Sequence, residues 1–106
     1  MPTIAEGQQL QTVITTFEVN PGTCADLLDT LTEAHDTFIS RQPGFISSAL
    51  HVNDAETRIA SYTQWETREH FMSMLRSDEM RARNRRIAEL CRSFEPVMYE
   101  VRKSFG

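Results

Sequence analysis

Cysteine is scarce in this chain: two among 106 residues, Cys24 and Cys91, far apart and at no metal-ligand spacing. That excludes a disulfide-stapled scaffold, and both are expected as free thiols in a reducing cytoplasm. Glycine and proline are limited to four of each, too few for a low-complexity or disordered chain. No apolar run approaches the roughly 20 residues that span a bilayer, so no membrane association is expected. Met1 to Gln9 lacks the basic stretch and apolar segment of a secretory signal. Basic charge is in deficit, with 11 Lys and Arg against 15 Asp and Glu. A nucleic-acid partner demands a dense basic face, so none is expected. The familiar catalytic signatures are missing too: there is no Gly-rich phosphate loop, no GxSxG turn and no HExxH pair. His35, His51 and His70 fall on three different predicted elements, and no spacing brings them together as metal ligands.

What is there reads as one domain. Residues 1–9 are polar and unpatterned, a flexible arm; residues 10–106 carry regular patterns. Val13, Thr15, Phe17 and Val19 alternate with Thr12, Ile14, Thr16 and Glu18, which predicts a strand. Asn20-Pro21-Gly22 turns the chain, and Thr23 is placed to cap a helix from Cys24 to about Arg41. Its buried stripe runs through Leu27, Leu28, Leu31, Ala34 or His35, Phe38 and Ile39. Gln42-Pro43-Gly44 breaks that helix. Phe45 to Val52 and Arg58 to Trp65 form a hairpin over the polar turn Asn53-Asp54-Ala55-Glu56. Helical spacing returns from Glu66 to Leu75. Ser77-Asp78 starts a further helix, Glu79 to Phe94, with Met80, Ile87, Leu90 and Cys91 inward. Pro96 closes it, and Val97 to Arg102 forms a last strand.

The order β-α-β-β-α-β predicts an α+β, ferredoxin-like fold, an antiparallel sheet with helices on one face. So short a chain buries only about 60–70% of its unfolded surface. Nothing within it covers the second sheet face, so a homodimer closed sheet to sheet is expected.

The most informative segment is Ser61-Tyr62-Thr63-Gln64-Trp65. Period-2 geometry puts Ser61, Thr63 and Trp65 on one face and Tyr62 and Gln64 on the other. Trp65 either plugs the core or walls a pocket between sheet and helices, and the pattern alone does not choose. His35, on an apolar stripe, reads as a half-buried residue with satisfied hydrogen bonds rather than a base. Arg81, Arg83, Arg85 and Arg86 read mostly as a solvated face pairing with Glu79 and Glu89, with Arg85 as the member that turns inward. Met72, Met74 and Met80 read as adaptable core filling.

Gln42-Pro43-Gly44-Phe45, His51, Tyr62-x-Gln64-Trp65-Glu66 and Phe71 together resemble the antibiotic biosynthesis monooxygenases, of the dimeric α+β barrel superfamily. The resemblance spans roughly residues 10–102. It is closest to the small enzymes that oxidise anthrone-type aromatic polyketides to quinones. It implies a homodimer, a pocket between sheet and helices, and oxygenation of a small aromatic substrate by O2 with no cofactor: no metal, flavin or haem. It implies catalytic roles for Trp65, His51 and Arg85, and substrate contacts from Ser61, Tyr62, Thr63, Phe71 and Phe38. Those residue types suit such chemistry, since Trp stacks on a flat polycycle, Arg steadies an anion and neutral His accepts a proton. Two positions depart from the family pattern. Ser61 stands where it has Asn, and Phe71 where it has Tyr. Both changes bear on proton transfer. Haem-degrading relatives use a His on the helix after the Trp, where Asn84 and Arg85 offer no ligand. The alternatives on the same fold are a polyketide aromatase or cyclase and a non-catalytic stress-responsive binding protein.

Overall fold

Alternating β-branched residues extend the first strand, β1 (Gln11–Glu18), in the computed structural model, which describes residues 10–106. The arm expected over residues 1–9 lies outside the described residues. Helix α1 (Pro21–Thr37) begins three residues before the expected Cys24. The reason is Pro21, whose fixed φ suits the first helical turn. Thr23 therefore lies inside the helix, and its hydroxyl donates back to the Asn20 carbonyl at 3.2 Å. A single 3₁₀ turn, Ile39–Arg41, carries the chain to β2 (Phe45–Val52) and β3 (Arg58–Trp65), with both strand boundaries where the alternation put them. Helices α2 (Arg68–Arg76) and α3 (Asp78–Leu90) follow, then β4 (Ser93–Tyr99). The break between the helices is made by Ser77, whose side chain accepts from the Met80 amide and caps α3.

The last strand differs most from expectation. Helix α3 ends at Leu90 rather than Phe94, and Pro96 lies within β4, opposite Thr15, instead of before it. The sheet order β2-β3-β1-β4 makes β4 an edge strand. An edge strand tolerates a residue with no N–H to give. Every neighbouring pair is antiparallel. The three helices cover one face of this four-stranded sheet, as the ferredoxin-like α+β order requires.

The core forms between that face and the helices. Leu27, Ile59 and Trp65 are 0% exposed, with Val13, Phe17, Leu31 and Ile87 packed around them. A bulge at Ile46 shifts the register of β2, so that Phe45 pairs with Trp65 and Ser48 with Thr63. Gly44 fastens the start of β2 to the entry of α2. Its φ of +82° suits glycine, and a Cβ there would collide with the His70 ring. Its carbonyl accepts from the Glu66 amide at 2.7 Å. The Gln42-Pro43-Gly44 turn is thereby tied to the far end of β3, beside Trp65.

Candidate active site

Alternation on β3 decides which side chains meet the helices. Ile59, Ser61, Thr63 and Trp65 face them; Ala60, Tyr62 and Gln64 face away. Between sheet and helices lies a cleft. Thr15, Phe17, Ser61, Thr63, Phe94 and Pro96 of the sheet form its floor. Its roof is Leu31 and His35 of α1, Phe71, Met74 and Leu75 of α2, and Met80, Asn84 and Ile87 of α3, with Ile39 at the side. Phe17 and Phe94 stack on each other at 5.4 Å with their planes 18° apart, an aromatic pair in the floor.

The cleft holds about 540 Å³ of empty space, its open mouth included, and its lining is mostly apolar.

Its polar groups are few. Ser61 is buried, and the Thr63 hydroxyl accepts the Trp65 Nε1–H at 3.0 Å. His35 is half-buried, with Nδ1 3.0 Å from Ser48 Oγ and Nε2 3.5 Å from Ser61 Oγ. Burial pushes the His35 pKa below the ordinary histidine value. The ring is therefore neutral at neutral pH and able to accept a proton. Among the described residues lining the cleft it is the one titratable side chain.

The residues singled out by sequence are divided by this geometry. Ser61, Thr63 and Phe71 line the cleft. Trp65 does not form its wall. It stands one layer behind, fully buried, with Phe45 and Phe71 edge-on at 5.6 and 6.0 Å. Its part is to hold Thr63 by the indole N–H and to back Phe71. His51 and Tyr62 lie on the opposite sheet face, because His51 pairs with Ala60 and Tyr62 with Ala49. His51 is exposed there and does not reach the cleft. Arg85 is exposed as well. The inward positions of α3 run Met80, Asn84, Ile87, so helical phase gives the roof Asn84 and turns its neighbour out. The half-buried arginine is Arg83, which pairs with Glu33 and Glu79 and lies over the Phe38 ring at 5.6 Å. Phe38 thus supports the outer rim of α1 rather than the cleft.

Two cleft residues were missed by sequence reasoning, His35 and Asn84. Both carried a readable signal. His35 follows Leu31 by one helical turn, and Asn84 sits in phase between Met80 and Ile87. Among the described residues no three His, Cys, Asp or Glu gather as a metal ion would need. Cys24 is buried and Cys91 half-buried, both as free thiols. No described helix is long and apolar enough to cross a membrane.

The family model for antibiotic biosynthesis monooxygenases matches residues 10–86. Among curated protein sequences, none matches. Solved structures are similar in fold. SnoaB, a cofactor-independent oxygenase from Streptomyces nogalater, is 18% identical with a TM-score of 0.81, over 91% of this chain and 96% of that one. The ActVA-Orf6 monooxygenase of Streptomyces coelicolor, in complex with the ligand nanaomycin D, is 23% identical with a TM-score of 0.79, over 94% of each chain. An anthrone oxidase-like protein is 21% identical with a TM-score of 0.85, over 93% of this chain and 42% of its own. At these identities the likeness establishes the fold.

Proposed function

This chain belongs to the antibiotic biosynthesis monooxygenase family, and from that membership we propose that it is a cofactor-independent monooxygenase. Its substrate is a flat, electron-rich aromatic polyketide of the anthrone type, converted to a quinone by O2. The observation that carries this reading is the mostly apolar cleft between sheet and helices, with a neutral histidine and two strand hydroxyls in its lining.

The chemistry follows from the substrate's own electrons. An anthrone methylene that loses a proton becomes an extended carbanion, able to reduce O2 and to combine with it as a peroxide. Loss of the second carbon-bound hydrogen with cleavage of the O–O bond leaves a carbonyl and water. In total one CH2 and one O2 become one C=O and one H2O. The protein has to hold the ring flat, assist the proton steps and keep water away from the anion. Phe17, Phe94 and Phe71 supply aromatic, apolar lining. Ser61 can donate to the substrate oxygen on which negative charge collects. Trp65 acts on this site through Thr63 and Phe71.

A homodimer is part of the same reading. The sheet face away from the helices carries Ile14, Ala49, Tyr62, Val97 and Tyr99, with Tyr99 49% exposed. Val97 is 37% exposed on the same face, so apolar surface there is open for a second copy to cover. His51 lies on this face and would border the partner.

Oxygen uptake by metal-free protein with dithranol, an anthrone, tests the assignment. Uptake well above the buffer blank is expected, with a product that has gained one oxygen and lost two hydrogens. Uptake equal to the blank for dithranol and related anthrones would sink the oxygenase reading. Loss of water from a polyketide chain without oxygen gain would assign the cleft to cyclisation instead.

A further inference from the structure

His35 separates two spaces. On one side it lines the cleft with Ser61, and on the other it lines an open groove between α1 and the edge strand β2, with Ser48. Its two ring nitrogens divide the same way: Nε2 lies 3.5 Å from Ser61 Oγ and Nδ1 lies 3.0 Å from Ser48 Oγ. The two serines come from different strands, Ser48 opposite Thr63 and Ser61 opposite Leu50. A helix residue thus bridges a dry interior and a wet exterior through one ring.

We propose that His35 is the proton conduit of the cleft, taking a proton from bound substrate at Nε2 and releasing one through Ser48 to the groove at Nδ1. The catalytic consequence rests on the oxygenase reading above; the path itself rests on the geometry alone. The protons balance. A neutral ring with its proton on Nδ1 accepts the substrate proton at Nε2, directly or through the Ser61 hydroxyl. The imidazolium passes its Nδ1 proton to Ser48 Oγ while the serine proton leaves to groove water. The ring, now protonated at Nε2, later gives that proton to the peroxide anion and regains one at Nδ1 from the groove. It ends as it began, and bulk water need not enter the cleft.

The surroundings favour this role. Among the described residues lining the cleft, the sheet, α2 and α3 present no charged side chain to the ring. The groove adds one, Asp36 on α1 itself, on the side where the proton leaves. With no charged side chain facing the ring from the cleft, neither protonation state is locked by an ion pair, and burial keeps the resting ring neutral.

The test uses a redox-inert reporter beside the oxidation assay. Alizarin is a flat dihydroxyanthraquinone whose colour reports ionisation of its phenol. Held at a pH where the free dye is mostly neutral, it should turn to its anion colour on the wild-type protein and stay neutral on His35→Gln. With dithranol, His35→Gln should lower oxygen uptake about 100-fold or more, the usual scale for losing a positioned base. The fall in rate on the acid side of the pH profile should vanish with it. Ser48→Ala should still ionise the dye but slow turnover roughly tenfold, through loss of one hydrogen-bonded partner. An unchanged melting temperature at alkaline pH certifies that the variants fold. Should His35→Gln fail to fold, the Ser48→Ala rate decides alone, and wild-type turnover there refutes the path. Equal dye ionisation on wild type and His35→Gln, or an unaltered pH profile, also overturns it. Dye ionisation by wild type without oxygen uptake would remove the oxygenase reading and leave the conduit standing.

Discussion

The two faces of the sheet are made from alternate residues of the same strands and end in opposite conditions. On the helix side, Ser61, Thr63 and Trp65 are buried and fixed by partners. On the other side, Val97 and Tyr99 are 37% and 49% exposed, apolar surface with nothing over it in the single chain. A one-residue step along β3 therefore decides whether a side chain joins a finished site or an unfinished surface. The histidines make the same point. His35, on a helix above the closed face, meets two serines, while His51, on the open face, meets solvent. In a chain this small, the residues that finish one core leave too few to cover both faces.

The comparison breaks most severely at Trp65. Trp65→Ala should destabilise the fold by about 3–5 kcal/mol, the range for removing a large buried aromatic. Chemical denaturation measures it, and a loss below about 1 kcal/mol would mean that the indole is not the brace behind the cleft. Next in size is Thr63→Val, which keeps the shape but strands the Trp65 Nε1–H. An unpaired buried donor costs about 1–3 kcal/mol. The same variant should lower oxygenase turnover, because Thr63 lines the cleft. On the open face the effect should fall on association rather than folding. Val97→Asp places a charge where the second copy is proposed to pack. It should weaken the dimer at least about tenfold, or about 1.4 kcal/mol, by sedimentation across a dilution series. Trp65 fluorescence should not change. A Val97→Asp protein that dimerises like wild type would move the interface elsewhere.

The fold was legible because its signals are local and repeated. The β2–β3 hairpin declared itself through two alternating runs and a polar turn, and the helix break through Ser77, a capping residue in its usual place. The start of α1 and the extent of β4 were less so. Pro21 and Pro96 each read as a breaker, yet a proline suits the first turn of a helix and an edge strand. Edge position is a property of the sheet order, which no single strand reveals. The site was harder again. Ser61 and Thr63 were found because strand phase puts them on one face with Trp65, and Phe71 through the family resemblance. Trp65 was left between core plug and pocket wall, because distance from a cavity is a three-dimensional quantity. Arg85 and Asn84 are neighbours in sequence, and a turn of about 100° per residue separates a roof position from a solvent one. His35 was read as a half-buried, hydrogen-bonded residue rather than a base, and nothing local named its partners, Ser48 and Ser61, 13 and 26 residues onward.

The smallest expected effect separates the closed face from the open one by pH. Burial lowers the folded-state pKa of His35 below the unfolded value near 6.5. Above the unfolded pKa both states carry a neutral ring, and its contribution to stability is fully present. As the pH falls through that value, the unfolded chain takes up a proton that the folded protein still refuses. Stability drops until the folded ring is protonated too. One such group bends the stability curve by no more than about 1.4 kcal/mol per pH unit. Denaturation midpoints between about pH 7 and pH 5 should therefore decline more steeply for wild type than for His35→Gln, whose side chain does not titrate. Equal slopes would mean that the ring is as well solvated folded as unfolded, and the closed face would then be open to water at the one place where its chemistry needs it dry.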